Sequence, residues 1–108
     1  MSTKFKKSDY IEAGPFFKKL TGDLTFGRML ESFRLCEEMS QAAFAKKLRI
    51  SRSHLCDIEK GRKMVSPARA AKFAKGLGYS EKMFVAIALQ DIIRQDGLKY
   101  KVNIEEAA

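Results

Sequence analysis

The sequence predicts an all-α chain of five helices, and three observations carry that expectation. From Leu24 to Gln95, apolar residues recur at three- and four-residue spacing, the period of a helix with a buried face. Thr25, Ser40, Ser51, Ser66 and Ser80 each stand just before such a run, where a side-chain oxygen can cap the free N–H groups of a first turn. Gly61, Gly78 and the pair Asp96-Gly97 stand where runs end, the usual place for a left-handed residue. The expected organisation is an arm over 1–23, a helical domain over 24–97, and a short strand with tail over 98–108.

In the arm, Gly14-Pro15 and Gly22 break any long element, which leaves room for one short helix over Pro15–Leu20. Thr25 caps a first helix running to about Glu37, with Leu30, Phe33 and Cys36 at helical spacing. Ser40 caps a second that ends near Leu48. Ser51 caps a third, closed by Gly61. Ser66 followed by Pro67 is a cap with proline at the first helical position, opening a fourth helix that stops at Gly78. Ser80 opens a fifth through about Gln95.

The fifth helix has too many apolar residues for one buried face. Phe84, Ile87 and Ala88 share one side with Asp91, while Val85, Leu89, Ile92 and Ile93 share another. A surface helix of a monomer needs a single stripe, so the second predicts a partner, most simply a second copy of the chain. Leu98, Tyr100, Val102 and Ile104 then alternate with Lys99, Lys101 and Asn103, a period of two that predicts a strand. One strand cannot satisfy its own backbone, so it is expected to pair with the N-terminal arm or with its dimer mate.

At 108 residues and 45% hydrophobic content the chain suits one small core rather than a disordered tail. Its net charge of +8 fits a polyanionic partner but does not by itself require one. Cys36 and Cys56 are too few for a disulfide framework and are expected as reduced thiols of a cytoplasmic protein. No stretch resembles a secretory signal, and Met83–Leu89, the longest apolar run, is far short of a membrane span. No membrane association is expected.

The functional expectation rests on Ser40 to Arg62, SQAAFAKKLRISRSHLCDIEKGR. Two short helices separated by Arg49-Ile50-Ser51, the second with a polar first turn, form a helix-turn-helix pattern suited to the major groove. Arg34 lies six residues before Ser40-Gln41, and Phe44-Ala45 and Leu48 follow on the first motif helix. Ile50-Ser51 in the turn and Leu55, Ile58, Glu59 and Gly61 complete the series. In this combination the stretch from Leu24 to about Phe84 closely resembles the helix-turn-helix (XRE) family of lambdoid repressors and Cro. That family also includes restriction-modification controllers and antitoxins.

The resemblance implies a lambda-repressor-like domain binding double-stranded DNA, with the first turn of the third helix in the major groove. Arg52, Ser53 and His54 are then the first candidates for base edges, Asp57 lies one turn further on, and the capping Ser51 is counted among the DNA-binding residues. Arg52 suits guanine O6 and N7, whereas Asp57 suits cytosine N4 or serves to orient Arg52. A plain phosphate contact is the competing role for Arg52. The resemblance also implies that Gln41 grips a phosphate at the N-terminus of the second helix, where the helix dipole favours an anion. Lys60, Arg62 and Lys63 are expected to meet the flanking backbone. The arm is expected either as a solvated terminus or as a further contact to DNA phosphates or a partner.

Arg34 and Glu59 are implied by the same resemblance to form a salt bridge tying the first helix to the third, a structural role rather than a catalytic one. Leu48, Ile50, Leu55 and Ile58 are expected in the core with Phe44 and Phe73. An enzyme is not expected. His54 is the single histidine, Ser53 beside it forms no catalytic pair by adjacency, and Gly76-Leu77-Gly78 lacks the rest of a phosphate loop. His54, Cys56 and Asp57 diverge too widely around one helix to enclose a metal, and no metal or other cofactor is expected.

Two functions fit. One is a dimeric transcriptional repressor; the other is an antitoxin that neutralises a ribonuclease toxin and represses its own operon. No separate sensor domain is visible, so regulation is expected through abundance, proteolysis or a bound protein. The ending ALQDIIRQDGLKYKV resembles antitoxins paired with RelE/HigB-type toxins. The net charge argues against a basic toxin partner unless the contact is apolar or uses Glu105 and Glu106.

Overall fold

Each helix begins where a hydroxyl can reach its first free N–H. The Thr25 side chain accepts from Arg28 N–H, Ser40 from Ala43, Ser51 from His54, Ser66 from Arg69 and Ser80 from Met83, at 3.0–3.2 Å. The computed structural model describes residues 24–107, among which lie five α-helices and no strand. They are α1 (Phe26–Cys36), α2 (Gln41–Leu48), α3 (Arg52–Glu59), α4 (Pro67–Leu77) and α5 (Glu81–Gln95). The arm over 1–23 and its expected helix at Pro15–Leu20 lie outside the described residues. Each cap contributes about 0.5–2 kcal/mol. Gly78 ends α4 at φ +77°, a conformation without steric cost only for glycine. Arg49 ends α2 in the same left-handed region, φ +60°, and there a side chain must be tolerated.

The buried stripes meet in one core. Phe26, Leu30, Phe44, Leu55, Ile58 and Phe84 are almost wholly shielded from solvent. Burying each such side chain contributes about 1.5–3 kcal/mol. The Phe26 ring meets the Phe84 ring edge-on at 5.6 Å, and Phe33 stacks on Tyr79 at 4.2 Å. These contacts join α1 to α5 and to the α4–α5 connection, and α4 packs along α5 more extensively than any other pair of helices. Phe44, Leu48, Leu55, Ile58 and Phe73 are buried as expected, and Ile50 packs against them half-buried. Cys36 departs from the expected stripe. It stands exposed in the last turn of α1, whose core face is Phe26, Met29, Leu30 and Phe33.

Two features hold α1 in place. Gly27 lies so close to the end of α3 that an added Cβ would collide with the Ile58 carbonyl oxygen. Asp91, on the core side of α5, accepts from the Phe26 N–H at 2.9 Å and so caps α1 from a distant helix. Burial pushes the Asp91 carboxyl above its ordinary value, opposed by that hydrogen bond and by Arg94.

The two sides of α5 separate as the sequence suggests. Phe84, Ile87 and Ala88 are buried, whereas Val85, Leu89, Ile92 and Ile93 stay half-exposed and outside the core cluster. The expected C-terminal strand is not formed; residues 98–104 are irregular. A strand needs a second backbone, and among the described residues a side chain takes that place. Gln90 Nε2 donates to the Tyr100 carbonyl at 2.7 Å, and Gln90 Oε1 accepts from the Val102 N–H at 2.8 Å. The alternation survives only in exposure, with Val102 and Ile104 half-buried between exposed Lys101, Asn103 and Glu105. Leu98 and Tyr100, expected on the same face, are instead exposed.

Candidate nucleic-acid interface

The α2–α3 unit is fixed from below by a buried ion pair. Arg34 on α1 donates through Nε to Glu59 Oε2 at 2.8 Å and through Nη2 to Oε1 at 3.1 Å. Its Nη1 donates to the Met39 carbonyl at 3.1 Å in the α1–α2 connection. The Glu59 side chain is 2% exposed and that of Arg34 12%. With both forks engaged and a backbone acceptor on the third nitrogen, the guanidinium fixes α1, the connection and the end of α3 together. The two hydrogen bonds to Glu59 hold its proton more firmly than usual, against the desolvation of burial. The expected structural role of the pair is the one the geometry shows.

From this pair a chain of hydrogen bonds runs outward to the first residue of α3. Glu59 Oε1 accepts a further hydrogen bond from Gln41 Nε2 at 3.0 Å. Gln41 Oε1 in turn accepts from Arg52 Nη1 at 3.2 Å. Arg52 is exposed, yet one of its terminal nitrogens is tied, through Gln41, to a buried anion. Its Nε and Nη2 remain available for a planar, two-point acceptor. The order Arg34–Glu59–Gln41–Arg52 could not be read from spacing, because Gln41 and Arg52 belong to different helices whose crossing alone brings them together.

Ser51, Ser53, Lys60, Arg62 and Lys63 are exposed, and Gln41, His54 and Asp57 are half-buried. Of the two roles open to Asp57, that of orienting Arg52 does not occur. The two positions are five apart and diverge around the helix, and Asp57 Oδ1 accepts from Arg62 Nε at 2.8 Å. The Arg62 and Lys63 N–H groups both point at the Asp57 carbonyl, so the chain folds back over the end of α3 and carries Arg62 to that carboxylate. Arg62 is therefore partly neutralised, and its proton is held more tightly by that hydrogen bond. Lys60 and Lys63 take part in no ion pair among the described residues.

A second basic feature was not singled out from the sequence. A cleft of about 520 Å³ between the α2–α3 turn and α4 has Lys47, Arg49, Arg69 and Lys72 around Leu48, Ile50 and Phe73. Their separation in sequence hides the cluster. Lys47 leans on Glu37 at 3.4 Å, and Glu37 also accepts from the Tyr79 hydroxyl at 2.7 Å. Among the described residues no set of histidine, cysteine and carboxylate side chains is arranged to hold a metal ion. No helix there is long and apolar enough to cross a membrane.

No curated protein and no solved structure matches the chain. The helix-turn-helix family matches residues 31–84, half of the sequence, from the middle of α1 through α2, α3 and α4 into α5. The matched span contains the Arg34–Glu59 pair, the Gln41–Arg52 link and the capped first turn of α3. By that match and this geometry the chain belongs to the helix-turn-helix family of Cro/repressor type, a family of DNA-binding transcriptional regulators.

Proposed function

We propose that this protein is a homodimeric repressor that reads an operator in the major groove with the first turn of α3. One observation carries the reading: Arg52 stands exposed at the start of α3 while Gln41 and the buried Arg34–Glu59 pair hold its guanidinium. A long side chain normally loses rotamer freedom on binding, and one already held loses less. Two free donors on a restrained guanidinium suit guanine O6 and N7. Ser53 and His54 flank it as further base contacts. Asp57, bound to Arg62, accepts from a cytosine N4 amino group one turn deeper.

The backbone contacts are proposed on the two sides of α3. The N–H groups at the start of α2 and the remaining Gln41 amide hydrogen meet one phosphate, and Ser51, the cap of α3, contributes a further DNA contact. Lys60, Arg62 and Lys63 meet the flanking strand. The half-exposed side of α5 joins two copies, so the site is used twice on inverted half-sites about one helical turn apart.

Arg52→Ala tests the assignment. It should cost about 1–3 kcal/mol on the preferred operator and relax preference at one base pair per half-site, with little loss on nonspecific DNA. Binding of both proteins to a library randomised across the operator measures this directly. A uniform loss over every sequence would make Arg52 a phosphate contact instead.

A further inference from the structure

Three residues that run against local helix preference meet at the basic cleft between the α2–α3 turn and α4. Arg49 holds the left-handed conformation at the end of α2, φ +60°, where glycine or asparagine would be less strained. Arg69 stands in the first turn of α4, where the helix dipole disfavours a cation, and no acidic residue shares that turn. Gly76 lies within α4, although an added Cβ would make only an ordinary contact, 3.6 Å from the Lys47 carbonyl oxygen. Packing does not require a glycine there, and alanine would favour the helix. The two arginines keep the cleft cationic and the glycine keeps it open. Departures from local preference that share one surface point to a function carried by that surface.

We infer that this cleft, about 520 Å³ in volume, docks an acidic segment of a partner protein, with one apolar side chain of that segment seated on Ile50. Arg49, Arg69 and Lys72 are exposed and take part in no ion pair among the described residues. Lys47 has Glu37 at 3.4 Å, and among the described residues no carboxylate lines the cleft. Between the cations lies an apolar floor, in which Ile50 is half-buried beside the more deeply buried Leu48 and Phe73. A string of phosphates would use the cations and leave that floor uncovered. An acidic amphipathic segment complements both. Lys47 and Arg49 also stand at the far end of α2 from Gln41, the proposed phosphate contact. Docking here does not depend on how α3 reads DNA.

Fluorescence anisotropy with two labelled peptides tests the docking: a run of glutamates with one central phenylalanine, and the same run with serine in that place. At physiological salt the phenylalanine peptide should bind about tenfold more tightly, because its ring leaves water. Arg49→Asn, Arg69→Gln and Lys72→Gln together should weaken its binding about tenfold. Lys60→Gln, Arg62→Gln and Lys63→Gln remove the same charge elsewhere and should change it less than about twofold. Gly76→Leu leaves the charge alone and should bring the phenylalanine peptide down to the serine level. The charge variants alter exposed side chains only, so the test stands even where Gly76→Leu fails to fold. Peptides bound equally, or an equal loss from the two sets of charge variants, would show a general attraction between charges and overturn the inference. Cleft variants that lower DNA affinity and the salt slope would make the cleft a further phosphate surface and overturn it as well.

Discussion

Arg34→Ala should unfold this protein far more than it alters what the protein reads. The substitution removes both guanidinium bonds to Glu59, at 2.8 and 3.1 Å, and leaves a carboxylate whose side chain is 2% exposed. The Gln41 amide then remains as its sole side-chain donor among the described residues. Breaking a buried pair from one side costs about 3–5 kcal/mol, because the surviving charge has lost water and partner alike. A small domain is stable by about 5–15 kcal/mol in total, so the loss is a large share. Urea denaturation followed by circular dichroism reads it as a fall in midpoint with little change in slope. Arg34→Met with Glu59→Leu provides the control. Replacing both charges by apolar groups should recover most of the stability, since no buried ion is left alone. The double variant also frees Gln41 from Glu59, so it should bind nonspecific DNA normally while losing part of its operator preference. An Arg34→Ala protein that melts with the parent would refute the reasoning. So would a double variant that is as unstable as the single one.

Gly27→Ala should cost about 3 kcal/mol in the same titration, the upper end for overpacking, because the new methyl group meets the Ile58 backbone rather than a movable side chain. A loss of less than about 1 kcal/mol would show that α1 can slide away from α3. For Asp91, burial raises the folded carboxyl above the ordinary value of 3.8, so the ionised group is tolerated less well folded than unfolded. Stability should therefore fall as pH rises from that ordinary value through the raised one, and level off above it. Asp91→Asn keeps an acceptor for the Phe26 N–H and should flatten that slope in thermal melts; an unchanged slope would remove Asp91 as its cause. Lys63→Ala should weaken binding to all DNA sequences alike and reduce the salt slope by about one unit. A change in base preference would instead move Lys63 among the readers.

Among the described residues, the sequence by itself determined the five helices, their approximate limits and the helix-turn-helix at their centre. Thr25, Ser40, Ser51, Ser66 and Ser80 each bond an N–H three residues on, so the signal and its effect lie within one turn. Apolar periodicity is local too, and it separated Phe84, Ile87 and Ala88 from the half-exposed side of α5. The Arg34–Glu59 pair was legible only through the family pattern. Tertiary structure alone decided the rest. Asp91 caps a helix that begins 65 residues earlier in the chain, and Gly27 matters for a carbonyl on another helix. Arg52 finds Gln41 rather than Asp57, and Gln90 occupies the place where a partner strand was expected. The physical difference is one of range. A cap or an apolar stripe is set by the backbone of its own helix, whereas a cross-helix hydrogen bond depends on the angle and offset at which two helices dock. That docking is settled by the whole core at once.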